Sequence, residues 1–123
     1  MSDTASTPTE IRVSKDRKTL TIGYVAGETH DLAAELLRVE SPSAEVQGHD
    51  PSQKKLVPGK KDVTISGIEP VGNYAIRIIF DDGHDTGIFS WAVLDKLVRE
   101  GDALFATYCE AMRENSLSRS LNL

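Results

Sequence analysis

The chain has 123 residues, 39% of them apolar and 27% charged, with a formal net charge of −5 and a pI near 5.1, which suits one domain around one core. An acidic surface repels phosphate backbones and argues against nucleic acid as a partner, and no apolar run is long enough to span a bilayer. Cys109 is the only cysteine, which excludes an intrachain disulfide and a multi-cysteine metal site and points to a reducing cytoplasm.

Residues 1–9 are Ser/Thr-rich, without the basic start and apolar centre of a signal peptide, and read as a disordered arm. Ile11 and Val13 alternate with polar residues, Lys15-Asp16-Arg17-Lys18 reads as a turn, and Leu20, Ile22 and Tyr24 resume the period of two, so a hairpin is expected. After Ala26-Gly27, Asp31 is a candidate N-cap for a short helix from Leu32 to about Arg38, with Leu32, Leu36 and Leu37 inward. From Glu40 to Lys61 the periodicity stops and Pro42, Gly48, Pro51, Pro58 and Gly59 punctuate the chain. Lys54, Lys55, Lys60 and Lys61 make this stretch locally basic, which reads as a solvated loop before it reads as an anion site.

Val63–Ile68 alternates again. Asn73–Phe80 is the clearest strand, with Tyr74, Ile76, Ile78 and Phe80 on one face, and Asp81-Asp82-Gly83-His84 carries the Asp-Gly hairpin signal. Thr86–Phe89 returns as a strand. Ser90 then caps a helix with Trp91, Leu94, Leu97 and Val98 on one stripe, and Trp91 is expected in the core. Gly101 is expected to end that helix and Asp102 to start another, carrying Leu104, Phe105, Tyr108 and Met112. Residues 115–123 read as a frayed tail, leaving one domain over 10–114: an α+β fold with a small antiparallel sheet and two or three helices.

No nucleophile elbow, phosphate-binding loop or dinucleotide fingerprint occurs, and Cys109, in a helix with apolar neighbours, reads as an inert thiol. His30, His49 and His84 each precede an aspartate but read first as turn or surface residues. The alternative is a mononuclear site in which His49 and His84 meet and bind a divalent ion with Asp85, or with Asp81 or Asp82.

Two segments carry a family resemblance. One is Leu37-Arg38-Val39-Glu40-Ser41-Pro42-Ser43-Ala44-Glu45-Val46-Gln47-Gly48-His49. The other runs from Gly67-Ile68-Glu69-Pro70-Val71-Gly72-Asn73-Tyr74 through Asp81-Asp82-Gly83-His84-Asp85-Thr86-Gly87-Ile88-Phe89-Ser90-Trp91. Over about Ile11–Val98 the chain resembles the stand-alone bacterial γ-butyrobetaine hydroxylase-like N-terminal domain proteins, formerly grouped as DUF971. In the hydroxylase, the resemblance implies, this domain binds a structural zinc through Cys-x-Cys-x-x-Cys after a Leu-Arg pair, and through a later histidine in an acidic turn. Here Leu37-Arg38 is present, Ser41, Ser43 and Val46 stand at the cysteine positions, and His84 stands at the histidine position. Serine is a poor zinc ligand and valine none, so no metal is expected there and no cofactor overall. The oxygenase chemistry of the hydroxylase belongs to a separate, larger domain.

The family also includes domains fused to P-loop ATPases that carry iron–sulfur clusters. The resemblance therefore implies a non-catalytic accessory module that binds a protein partner, with an iron–sulfur carrier ATPase as the candidate. Its expected surface is Glu45, His49, His84 and Ile88 or Phe89. The alternative remains a metal-binding protein or small metalloenzyme using His49 and His84.

Overall fold

A computed structural model describes residues 7–120. Six strands form two antiparallel three-stranded sheets, ordered β1-β2-β3 and β4-β5-β6. The strands are β1 (Glu10–Val13), β2 (Thr19–Gly23), β3 (Thr29–Ala33), β4 (Ile65–Val71), β5 (Ala75–Phe80) and β6 (Gly87–Ser90); the helices are α1 (Ala34–Val39), α2 (Ala44–Gln47) and α3 (Trp91–Glu114). The architecture is the α+β fold expected from the sequence, with the strands divided between two sheets.

In the first sheet Leu20 lies opposite Leu32 and Ile22 opposite His30. Leu20, Ile22 and Leu32 put their side chains into the core. The β1–β2 turn docks on the second sheet: Arg17, at φ 62°, accepts a hydrogen bond at its carbonyl from the Ile65 amide, and its guanidinium donates to the Ile65 carbonyl. In the second sheet Ile76, Ile78 and Phe80 face inward along β5, while Tyr74, just before the strand, is exposed. One apolar cluster joins both sheets to Leu36, Leu37, Leu94 and Leu97. A smaller one gathers Val39, Tyr108 and Met112 near the end of α3.

Four expectations are corrected. Asp31 caps nothing: it lies in β3 opposite Thr21, whose hydroxyl donates to its carboxylate, and α1 starts later, behind Ala33, without a side-chain cap. The Ala26-Gly27 turn returns the chain to β2, and cross-strand hydrogen bonds there outweigh the local cap. Gly101 ends no helix, because α3 continues through it for 24 residues. Leu94, Leu97, Gly101, Tyr108 and Met112 form one continuous buried stripe, and a Cβ at Gly101 would lie 2.9 Å from Leu36 Cδ2. Glycine serves there as a point of close approach between helices, not as a terminus.

The C-terminal segment is anchored through residue 120, not frayed. Ser116, at φ 54°, turns the chain out of α3. The Gly59 and Lys61 amides then donate to the Ser118 and Arg119 carbonyls, and Arg119 makes a bidentate pair with the buried Glu35 carboxylate at 2.7 and 2.8 Å. Residues 121–123 lie outside the described residues, as do 1–6 of the expected arm; Thr9 already donates its amide to Gly23 of β2. Trp91 is half-buried at the edge of the core, with its indole N–H donating to the Asn73 carbonyl at 2.9 Å, so it is less enclosed than its helical stripe suggests.

Candidate functional site

The Leu37–His49 segment and the β5–β6 turn meet in space. Pro42 breaks the chain after α1, and Ser43 starts the single turn of α2 by accepting the Glu45 amide at its hydroxyl. This turn carries Ser41 and Ser43 to the Asp81–Thr86 loop. Ser41, fully buried, lies 2.9 Å from His84 Nε2, and the Ser43 amide donates to Ser41 Oγ at 3.3 Å. Gln47 donates its side-chain amide to the Ser41 carbonyl at 2.9 Å.

Proton counting gives the outer part of the cluster a direction. A carboxylate only accepts, so the Thr86 hydroxyl donates to Glu45. Thr86 then has no proton left for Ser43, so the Ser43 hydroxyl donates to Thr86 Oγ1, at 2.7 Å. With the Glu45 amide on Ser43 Oγ the ring closes: Glu45 N–H to Ser43, Ser43 to Thr86, Thr86 back to the Glu45 carboxylate. The Thr86 hydrogen bond holds the Glu45 carboxyl below the usual carboxylate range.

A second tie runs through Asp82. Its carboxylate accepts from Arg38 Nε at 2.8 Å, pairs with Lys60 Nζ at 2.6 Å and accepts the His84 amide at 3.0 Å. Burial alone would raise its pKa; the Lys60, His84 and Arg38 hydrogen bonds outweigh that and hold it at about 2. His84 is only 6% exposed, and burial, followed by the Arg38 charge, pushes its imidazole pKa down against the opposing pull of Glu45, Asp82 and Asp85. Lys54 pairs with Glu40 at 2.7 Å, so two of the four loop lysines engage in ion pairs within the fold.

The geometry does not support zinc. Three of the four positions implied by the resemblance offer hydroxyls or a methyl-bearing side chain. In a tetrahedral site the ligand atoms stand about 3.5 Å apart around the ion, whereas Ser41 Oγ and His84 Nε2 are in direct hydrogen-bond contact. Nor does the His49–His84–Asp85 alternative assemble. Among the described residues no group of three or more His, Cys, Asp or Glu side chains is placed to hold a metal. His49 is exposed, its amide donating to Gln53, and Asp85 pairs with Arg77.

Ser41, His84 and Glu45 have the order of a nucleophile relay, with His84 Nδ1 3.9 Å from Glu45. Yet Ser41 has no exposed surface, and a Cβ on Gly87 would lie 2.4 Å from its hydroxyl, so no acyl carbon can approach. Of the expected surface, Glu45 (side chain 62% exposed), His49 and Ile88 (45%) face solvent. His84 and Phe89 do not: Phe89 is fully buried on the inner face of β6, while Thr86 and Ile88 alternate outward. Sequence reasoning did not single out Thr86 or Lys60 for this cluster. The outward alternation of Thr86 with Ile88 was the one available signal.

The family model for the γ-butyrobetaine hydroxylase-like N-terminal domain matches residues 11–95. The chain belongs to this family. A protein known from an NMR solution structure is 43% identical over 98% of this chain and 94% of its own, with a TM-score of 0.83. Another NMR structure is 44% identical over 97% of this chain and 88% of its own, with a TM-score of 0.80. The crystal structure of a DUF971-family protein of unknown function from Acidithiobacillus ferrooxidans is 38% identical over 78% of this chain and 97% of its own, with a TM-score of 0.63. No curated protein matches the sequence.

Proposed function

We propose that this domain is a non-catalytic accessory module that docks a protein partner in the reducing cytoplasm, and that the partner is a P-loop ATPase carrying an iron–sulfur cluster. The observation that carries the docking reading is the division of the Ser41–His84 cluster. Its inner half spends its polar groups on each other and leaves no open nucleophile. Its outer half, Glu45 and Thr86, stands in solvent beside the exposed apolar Ile88. An apolar anchor with a polar rim is the composition of a binding hot spot. His49 extends the same segment into solvent and belongs to the proposed surface; His84 supports it from beneath. The ATPase assignment rests on the family resemblance. The metalloenzyme reading is not favoured, because its ligand set does not converge.

The test is titration of isotope-labelled protein with the iron–sulfur carrier ATPase of the same cell, read by amide resonances. Shifts or broadening confined to Glu45, Thr86, Ile88 and their neighbours, lost in Ile88→Asp, are expected. Unperturbed resonances would remove the ATPase as partner; perturbation confined to another face would remove the docking surface.

A further inference from the structure

At the positions where the family resemblance implies a metal centre, Ser41 and Ser43 bond to His84 and Thr86 of the facing turn. We propose that a hydrogen-bonded clasp of Ser41, Ser43, Glu45, Thr86 and His84 does the work of that ion, locking the Ser41–Gln47 segment to the β5–β6 turn without a metal.

Three features carry the proposal. The clasp joins the same two chain segments that a metal there would join, across 43 positions of sequence for both the Ser41–His84 and the Ser43–Thr86 bonds. It engages each serine twice: each hydroxyl receives a backbone amide and meets a side chain of the facing turn, Ser41 taking the Ser43 amide and His84, Ser43 taking the Glu45 amide and Thr86. Its inner half is also tightly enclosed. Ser41 is fully buried, Val46 is 2% exposed, and Gly87 leaves no room beside the Ser41 hydroxyl for even a methyl group. Hydrogen bonds in such a network reinforce one another, and removing one partner strands the others, so the Glu45–Ser43–Thr86 ring and the Ser41–His84 bond together can lock two segments as a coordinated ion does. Val46 departs from the polar pattern and joins the packing instead, consistent with a site that has exchanged coordination for hydrogen bonds and apolar contact.

The experiment uses the full untagged chain. Thermal unfolding of the wild type should be the same with and without a chelator, and cobalt(II) should give no tetrahedral absorption. Ser41→Ala and Thr86→Val should each lower the melting midpoint by roughly 5–10 °C, since each strands buried or ring partners. Ser41→Cys/Ser43→Cys/Val46→Cys, which with His84 restores the full donor set, should take up one cobalt(II) per chain with thiolate-to-cobalt charge-transfer bands. A wild-type midpoint that falls in chelator would overturn the proposal, as would wild-type midpoints for both single substitutions. A triple variant that is folded yet blind to cobalt would show that these positions do not converge as the clasp requires. If the triple variant does not fold, the two single substitutions and the chelator arm still decide.

Discussion

Removing Arg119 tests whether the chain after α3 is part of the fold. Glu35 lies on α1 with its side chain 7% exposed, and Arg119 supplies both of its hydrogen bonds, at 2.7 and 2.8 Å. The same guanidinium lies 5.2 Å from the centroid of the Phe105 ring. Breaking a fully buried pair by deleting one partner costs about 3–5 kcal/mol, because the other charge is left without compensation. The Arg119 side chain is 37% exposed, so water reaches the gap and the cost falls to about 2 kcal/mol. The lost ring contact adds about 0.5 kcal/mol. Arg119→Ala should therefore lower stability by about 2.5 kcal/mol, read as a lower urea midpoint at unchanged slope. Adding Glu35→Gln should restore part of the loss, since an amide leaves no buried charge. An Arg119→Ala unfolding free energy within about 0.5 kcal/mol of wild type would refute the anchoring of residues 115–120.

Phe89→Ala should cost about 4 kcal/mol and Trp91→Ala less, because Phe89 is fully buried and Trp91 only partly; a larger loss for Trp91→Ala in chemical denaturation would contradict their placement. Gly87→Ala should cost about 1–3 kcal/mol by overpacking, since the new methyl would meet Ser41 Oγ at 2.4 Å and Phe89 Cε1 at 3.0 Å; a neutral result in the same assay would mean that the clasp is looser than described. Asp82 has a folded pKa of about 2 against an ordinary 3.8, so its stabilisation is fully present above pH 3.8 and is lost as the pH falls toward 2. The gap in urea midpoint between wild type and Asp82→Asn should hold steady above that window and close within it; a gap that persists at pH 2 would count against the Lys60–Asp82–Arg38 tie.

Much of the candidate site was legible as segments and little of it as geometry. The runs Leu37–His49 and Asp81–Trp91 stand out in the sequence, and their convergence followed from the family resemblance. Which atoms meet did not. Nothing local distinguishes Ser43, which faces Thr86, from a serine that only caps α2, and it does both. Phe89 and Ile88 look alike as anchors until the register of β6 against β5 puts Phe89 opposite Ile76 and Ile88 opposite Arg77. A shift of one residue would exchange their faces.

The sequence by itself determined the class of the fold, the β1–β2 and β5–β6 hairpins and the Ser90 cap. These depend on periodicity and turn chemistry within a few residues, where the period of two and the Asp-Gly signal are decisive. Only the tertiary structure decided three further matters. Residues 29–33 became a strand because β2 offers them a ladder. Gly101 stayed inside α3 because the buried stripe continues on both sides of it, from Leu94 and Leu97 to Tyr108 and Met112. The C-terminal segment became ordered because Glu35, far away in sequence, is buried and requires a cation. In each case the competing local preference amounts to about 1 kcal/mol or less, and contacts with distant parts of the chain exceed it.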